Sequence, residues 1–393
     1  MNQKARLSTG IFVASYSTLI FSLVFANALS ALKLLPDSIL NPFRSFTHVI
    51  PITCFLFLYF LNHQRINISY TKIISFSLRG MAVLTMVLMM VMSGLANESD
   101  SNNFARMIVL IIHLFNLTVV LPASITYLDL NNAMEKLSKM YCWFVFLLSI
   151  YVLFQYIQGY GYSRLGYPFI PGVYAYMCVV ALIVATIQLN SKLMPFIFLV
   201  FIFLSGSRSA LALTFLFYII HFLSSISLKR FVFISTIFVS LSLVLIVYED
   251  ISRPYVIERE DVTSGRLGIW SDAIDIMMES PILGHYQSFT FSDGENTEAL
   301  AAHNSFLDLS IRYGIIFAIL AYIYWLSFIP SMLNLRSPDY SILGIMLFII
   351  VTTKSFITNI FWTNMGDGTS YFIITMIVSV SLSSRSTVKA NEQ

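Results

Sequence analysis

Three short stretches of this 393-residue chain combine residue types that bind an oxyanion and move a proton. Ser205-Gly206-Ser207-Arg208-Ser209 places hydroxyls and a guanidinium at the junction of two apolar runs. Ser207 or Ser209 would cap the helix that follows, leaving its free N–H groups and positive dipole end beside Arg208. A helix start with an arginine is a ready site for a phosphate-type anion. Ser264-Gly265-Arg266 repeats that arrangement ahead of an amphipathic segment. His303-Asn304 stands at the start of a further helix, whose positive end disfavours imidazolium and keeps the histidine able to accept a proton. Asn304 adds donors and acceptors suited to a sugar hydroxyl. Each stretch also has a plainer account. Arg208 would anchor a tight turn at an interface, Arg266 would pair with Glu260 or Asp261, and His303 would cap a loop.

Other polar residues carry weaker signals. Asp308 and Arg312 are four apart, the spacing of an intrahelical ion pair. Arg79 and Lys354 fall inside apolar runs, where charge is costly and often functional. Either would line a polar cavity or snorkel to an interface. His48, His63, His113, His221 and His285 are assigned ordinary structural roles.

The elements that must position these residues follow from composition. The chain is 57% hydrophobic and 11% charged, with mean hydropathy +0.78, whereas soluble domains carry about a quarter charged residues. A net charge of +3 is too small to suggest nucleic acid as a partner. Cys54, Cys142 and Cys178 lie in apolar runs without metal-ligand or CxxC spacing, so neither a disulfide nor a zinc framework is expected. Apolar runs long enough for about 30 Å of hydrocarbon fall at 9–31, 45–61, 73–95, 107–128, 140–158, 173–190, 193–205, 209–226, 231–248, 313–333, 341–361 and 370–383. Helices are how such runs satisfy their backbone in lipid. The expected class is an all-α polytopic membrane protein with about 12 spans, 10 to 12 allowing for short ones. Lys4 and Arg6 before the first run suggest a signal peptide, but its length makes an uncleaved first span the better reading.

With a cytoplasmic N-terminus, inner segments hold 12 lysines and arginines and outer segments 8, three of them in one long loop. The positive-inside rule then places both termini in the cytoplasm and the 249–312 loop outside. The chain divides into membrane helices over 1–248, that loop, and C-terminal helices over 313–393, all one membrane domain. Between Glu249 and Asp308 lie 12 of the chain's 20 acidic residues. Apolar positions 267, 269, 270, 274, 277 and 278 predict an amphipathic helix from Arg266 to Ser280, ended by Pro281 and Gly284 and lying along the bilayer interface. The following helix is expected from near Ala301, running directly into the span after Gly314.

The order and spacing of FLSGSRSALAL at 203–213, TSGRLGIWSDAIDIMMESPILG at 263–284 and AHNSFLDLSIRYGI at 302–315 resemble the O-antigen ligase/polymerase family of bacterial membrane glycosyltransferases. The resemblance covers the second half of the chain; the first half matches only as a row of spans. The ligase pattern closes on two glycines, but position 317 is Phe, and AHNSFLDL and SGRLGIW look closer to the polymerase side. The resemblance implies a GT-C-like multi-helix fold in the bacterial inner membrane, a periplasmic active site, and a glycan on undecaprenyl diphosphate as donor. It implies Arg208 and Arg266 on the diphosphate, His303 as proton acceptor, Asn304 in support, and Ser207, Ser209 and Gly265 in substrate binding. A chain-length regulator is a further implied partner. No D-x-D, Walker lysine, H-E-x-x-H or G-x-S-x-G occurs, so neither a metal nor a cofactor is expected. Polymerisation of lipid-linked repeat units is the first reading, ligation to lipid A core the second, and a non-enzymatic flippase the third. A transporter would favour charges along span interiors and matching halves, which this sequence lacks.

Overall fold

The computed structural model describes residues 3–62, 70–96, 101–160, 165–169, 171–189, 191–222, 266–286, 304–333, 337–357 and 368–389, and every regular element among them is helical. The predicted span 231–248, together with Gly265 and His303, lies outside the described residues. In chain order the elements are α1 (Gln3–Ala31), α2 (Asp37–Thr47), α3 (Ile50–Leu61), α4 (Tyr70–Ala96) and α5 (Ser101–Phe115). A π-helical stretch, Asn116–Val120, joins α5 to α6 (Leu121–Ile125). Then come α7 (Leu130–Ile157), α8 (Pro171–Ile187), α9 (Leu193–Leu204), α10 (Arg208–Phe222), α11 (Arg266–Glu279), α12 (Ser305–Tyr313), α13 (Ile315–Leu326), α14 (Ile329–Leu333), α15 (Pro338–Ile357) and α16 (Gly368–Lys389). Six of the helical stretches are long and apolar enough to cross a membrane, and five shorter ones are also apolar. The chain is an all-α polytopic membrane protein.

α8 is the centre of the bundle. From Tyr174 to Ala185 every side chain is buried, and α8 packs against α7, α9, α10 and α15. A helix apolar all round belongs in such an interior position. α16 is buried in the same way from Tyr371 to Val380 and packs against α1 and α15. Arg79 on α4 donates from Nε to the Ser327 hydroxyl at 2.8 Å and from Nη2 to the Ser327 carbonyl at 2.7 Å. Its guanidinium also lies 4.4 Å from the centre of the Phe328 ring. Ser327 is the C-cap of α13, so Arg79 satisfies a helix end with a cation.

Two expectations about the last loop are corrected. The helix predicted from near Ala301 begins at Ser305, because Asn304 is its N-cap: extended at φ −146°, with Oδ1 accepting from the N–H groups of Phe306 and Leu307. That helix does not run directly into the next span. It stops at Tyr313, and α13 starts afresh after Gly314, whose φ of 90° and ψ of 158° suit glycine alone. The break comes from a backbone lock. The turn after α11, with Gly284 at φ 68°, folds onto the end of α12. His285 N–H donates to the Ile311 carbonyl (2.7 Å), Tyr286 N–H to Arg312 (2.8 Å) and Ile315 N–H to Pro281 (2.8 Å). The lock sits against the end of α4, where the Ser93 hydroxyl donates to the Arg312 carbonyl at 3.1 Å.

Candidate functional site

The lock joins the C-terminal ends of α11 and α12. From it the helices run side by side along a seam of Ile269, Ala273 and Met277 with Leu307 and Ile311. Their N-termini therefore both lie at the far end of the seam. The sequence periodicity suggested one apolar face on α11; the structure has two. The first is this seam, and the second, with Ile274 and Met278 at 44% and 61% exposure and Ile282 just past the helix at 60%, is exposed. Asp308 and Arg312 form the expected ion pair on α12, at 3.1 Å from Nε and 2.9 Å from Nη2. Burial works against the Arg312 charge, but the Asp308 carboxylate outweighs it and holds the guanidinium above its ordinary value.

The N-terminal end of α12 is linked through Tyr322 of α13 to the last turn of α15. The Phe306 ring lies 5.7 Å from that of Tyr322, and the Tyr322 hydroxyl donates to the Ser355 hydroxyl at 3.0 Å. The same turn of α15 meets the first turn of α8, where Lys354 Nζ donates to the Gly172 carbonyl at 3.4 Å. The turn before α8 is tied to the end of α9 by Leu165 N–H donating to the Leu204 carbonyl at 3.4 Å. There the chain reverses through Gly206 at φ 61° into α10, which packs against both α8 and α15. A relay of contacts thus links the start of α12 to Lys354 and, through the first turn of α8 and the turn before it, to the end of α9 that precedes the Arg208 turn.

Within the Arg208 turn, the Ser205 hydroxyl donates to the Ile202 carbonyl at 2.6 Å and accepts from Ser207 N–H at 3.3 Å. Ser207 holds the N-cap position, its carbonyl accepting from Leu211 N–H at 3.0 Å. The Ser207 and Ser209 hydroxyls lie 3.4 Å apart, and Arg208 is exposed. Arg266 is the first residue of α11, so the predicted start is where the sequence put it. Asn304 uses its carbonyl oxygen in the cap, and its amide N–H groups take no part in those two bonds. We expect Asn304→Asp to keep the cap and to change folding stability, read by thermal unfolding, by no more than about 0.5 kcal/mol. The same variant should lose at least about tenfold in activity, because a carboxylate there repels an anion. An unaltered rate would remove Asn304 from the site.

Sequence reasoning missed a polar cluster. His48 and His113 are both buried and both address the Tyr371 hydroxyl from Nδ1, at 3.0 and 2.7 Å. The Asn116 amide, in the π-helical stretch, donates to the His48 carbonyl at 2.6 Å. No local motif marks this cluster, since Tyr371 is 323 and 258 positions from its partners. Tyr371→Phe leaves two buried imidazoles short of a partner, and unfolding in detergent should show a loss of about 2–3 kcal/mol. An unchanged midpoint would mean that the bundle does not depend on the bridge.

Residues 193–323, from α9 into α13, match the family model described as O-antigen ligase. The resemblance to the O-antigen ligase/polymerase family, whose members are glycosyltransferase-like enzymes, is borne out on that segment. It contains the Arg208 turn, α11 and the Asn304 cap, while Lys354 and the histidine–tyrosine cluster lie outside it. A comparison with curated proteins finds no match.

Proposed function

We propose that this chain polymerises lipid-linked oligosaccharide repeat units at the periplasmic face of the bacterial inner membrane, with both termini cytoplasmic. The observation that supports the reading is the pairing of α11 and α12 along one seam, with the helix starts at Arg266 and Asn304 toward its far end and the start of α12 linked by contacts to α15. The donor is a glycan on undecaprenyl diphosphate. The acceptor is the hydroxyl of a sugar on another lipid-linked unit. Its oxygen attacks the anomeric carbon, the bond from that carbon to the diphosphate oxygen breaks, and the hydroxyl proton passes to His303. Negative charge grows on the departing diphosphate, and Arg208 and Arg266 neutralise it. Two guanidiniums and two helix N-termini supply that charge without a metal. Ser207, Ser209, Gly265 and Asn304 line the substrate.

The description of the matched family favours a second reading, ligation of finished glycan to lipid A core. Phe317, buried and 4.7 Å from the Tyr313 ring, stands where the ligase pattern has glycine and favours polymerisation. Purified protein in liposomes, given radiolabelled undecaprenyl-diphosphate repeat units with and without lipid A core, separates the readings. Lipid-linked products of increasing length without core support polymerisation. Transfer only to core makes the protein a ligase. Translocation without any new glycosidic bond would overturn both.

A further inference from the structure

Lys354 is a charge held inside the helical bundle. Its side chain is 3% exposed, three residues before the end of α15, in a helix long and apolar enough to cross a membrane. An ammonium in such a place is expensive and characteristically marks a functional site. Its position is specific. Nζ reaches the Gly172 carbonyl in the first turn of α8 at a long 3.4 Å and lies 5.8 Å from the centre of the Tyr176 ring. The next residue, Ser355, is bonded to Tyr322, whose ring backs Phe306 two residues after Asn304. α10, which starts with Arg208, packs on the same helix. Lys354 therefore sits between the first turn of α8 and, through Ser355, Tyr322 and Phe306, the start of α12, on a helix that also packs against α10.

Resting on the functional reading above, we infer that Lys354 is a third cation of the anion site and contacts the diphosphate of the lipid-linked donor. The chemistry of the group limits what it recognises. An ammonium offers three donors and no acceptor, so it selects oxyanions and carbonyls over the mixed donor and acceptor pattern of a sugar. Held inside the protein it attracts a phosphate oxygen more strongly than the same charge would in water. Arg208 is exposed and meets the headgroup as it arrives, whereas Lys354 engages the diphosphate once it is seated. Lys354 lies beyond the segment that matches the family model, which ends at residue 323.

The test uses full-length protein in liposomes. Donor KM and kcat are measured for wild type, Lys354→Met and Arg208→Ala, with inhibition constants for undecaprenyl diphosphate and for inorganic pyrophosphate. Lys354→Met, close in length and uncharged, should raise donor KM and the undecaprenyl diphosphate inhibition constant together by about tenfold or more, the loss of one charge-assisted contact. A purely structural lysine would lower the yield of folded protein and leave both constants unchanged in what folds; that result overturns the inference. Weakened inhibition by inorganic pyrophosphate alone also overturns it, because the lipid would not be the source of the phosphate. If Lys354→Met fails to fold, Lys354→Gln, which keeps a donor toward Gly172, gives the same readout. Loss of transfer in Arg208→Ala with unchanged constants at position 354 would reject Lys354 and keep the functional reading. Absence of transfer by the wild type would reject the reading and this inference with it.

Discussion

Replacing His303 with alanine is expected to cut glycan transfer by about 10²- to 10⁴-fold, the range that a positioned general base supplies. The effect should fall on turnover more than on donor KM, because the donor diphosphate would be held by cations elsewhere in the site. In cells the expected phenotype is loss of the polysaccharide ladder, with core carrying a single repeat unit. The chain order gives this prediction its structural footing. His303 precedes Asn304 by one peptide bond, and Asn304 is fixed as the cap of α12. A ladder restored in full by the alanine variant would remove His303 from the chemistry, whichever acceptor the enzyme uses.

The second large effect is expected at a residue that touches no substrate. Gly314→Ala should insert into the membrane yet lose at least about 100-fold in transfer, because it breaks the lock that aligns α11 with α12. A Cβ at position 314 would collide with the Ile282 carbonyl oxygen. The backbone conformation there costs a side chain a further 1–3 kcal/mol or so. Gly284→Ala approaches the same lock from the other side, its added carbon 2.6 Å from the Arg312 carbonyl group at φ 68°. Gly10→Ala is the matched control, with nothing within 4 Å of the new carbon, and a helical alanine there should be neutral or slightly stabilising. Transfer in liposomes and thermal unfolding in detergent would be measured on all three. Activity near wild type in Gly314→Ala would show that the two helix starts need no lock.

Much of this was legible in the sequence wherever the cause is local. Hydropathy runs announced the helices, Pro281 and Gly284 announced the end of α11, and the spacing of Asp308 and Arg312 announced their ion pair. Arg208 and Arg266 were found at helix starts because serine and glycine before an apolar run are local signals. What stayed hidden depends on distant backbone. The apolar run through Gly314 gives no sign of a break, since the cause is the carbonyl of Ile282 more than thirty positions earlier. The seam face of α11 was hidden for the same reason: Ile269, Ala273 and Met277 pack against Leu307 and Ile311, a partner beyond the reach of periodicity. Lys354 showed as a charge in a span, but its place between α8 and the Asn304 cap needed the packed bundle.

The bridge between His48, Tyr371 and His113 carries one more consequence. A phenol has a single O–H, so it donates to only one of the two Nδ1 atoms that face it. If both rings are neutral, the other ring must donate to the phenol oxygen and so carry its own hydrogen on Nδ1. The two imidazoles are then obliged to be opposite tautomers, one protonated at Nδ1 and the other at Nε2. Turning the hydroxyl toward the other ring requires both rings to exchange tautomer together. The position of one hydrogen atom thus couples the α2–α3 junction, α5 and α16, and nitrogen-resolved NMR of labelled histidine should find two inequivalent rings that become independent in Tyr371→Phe.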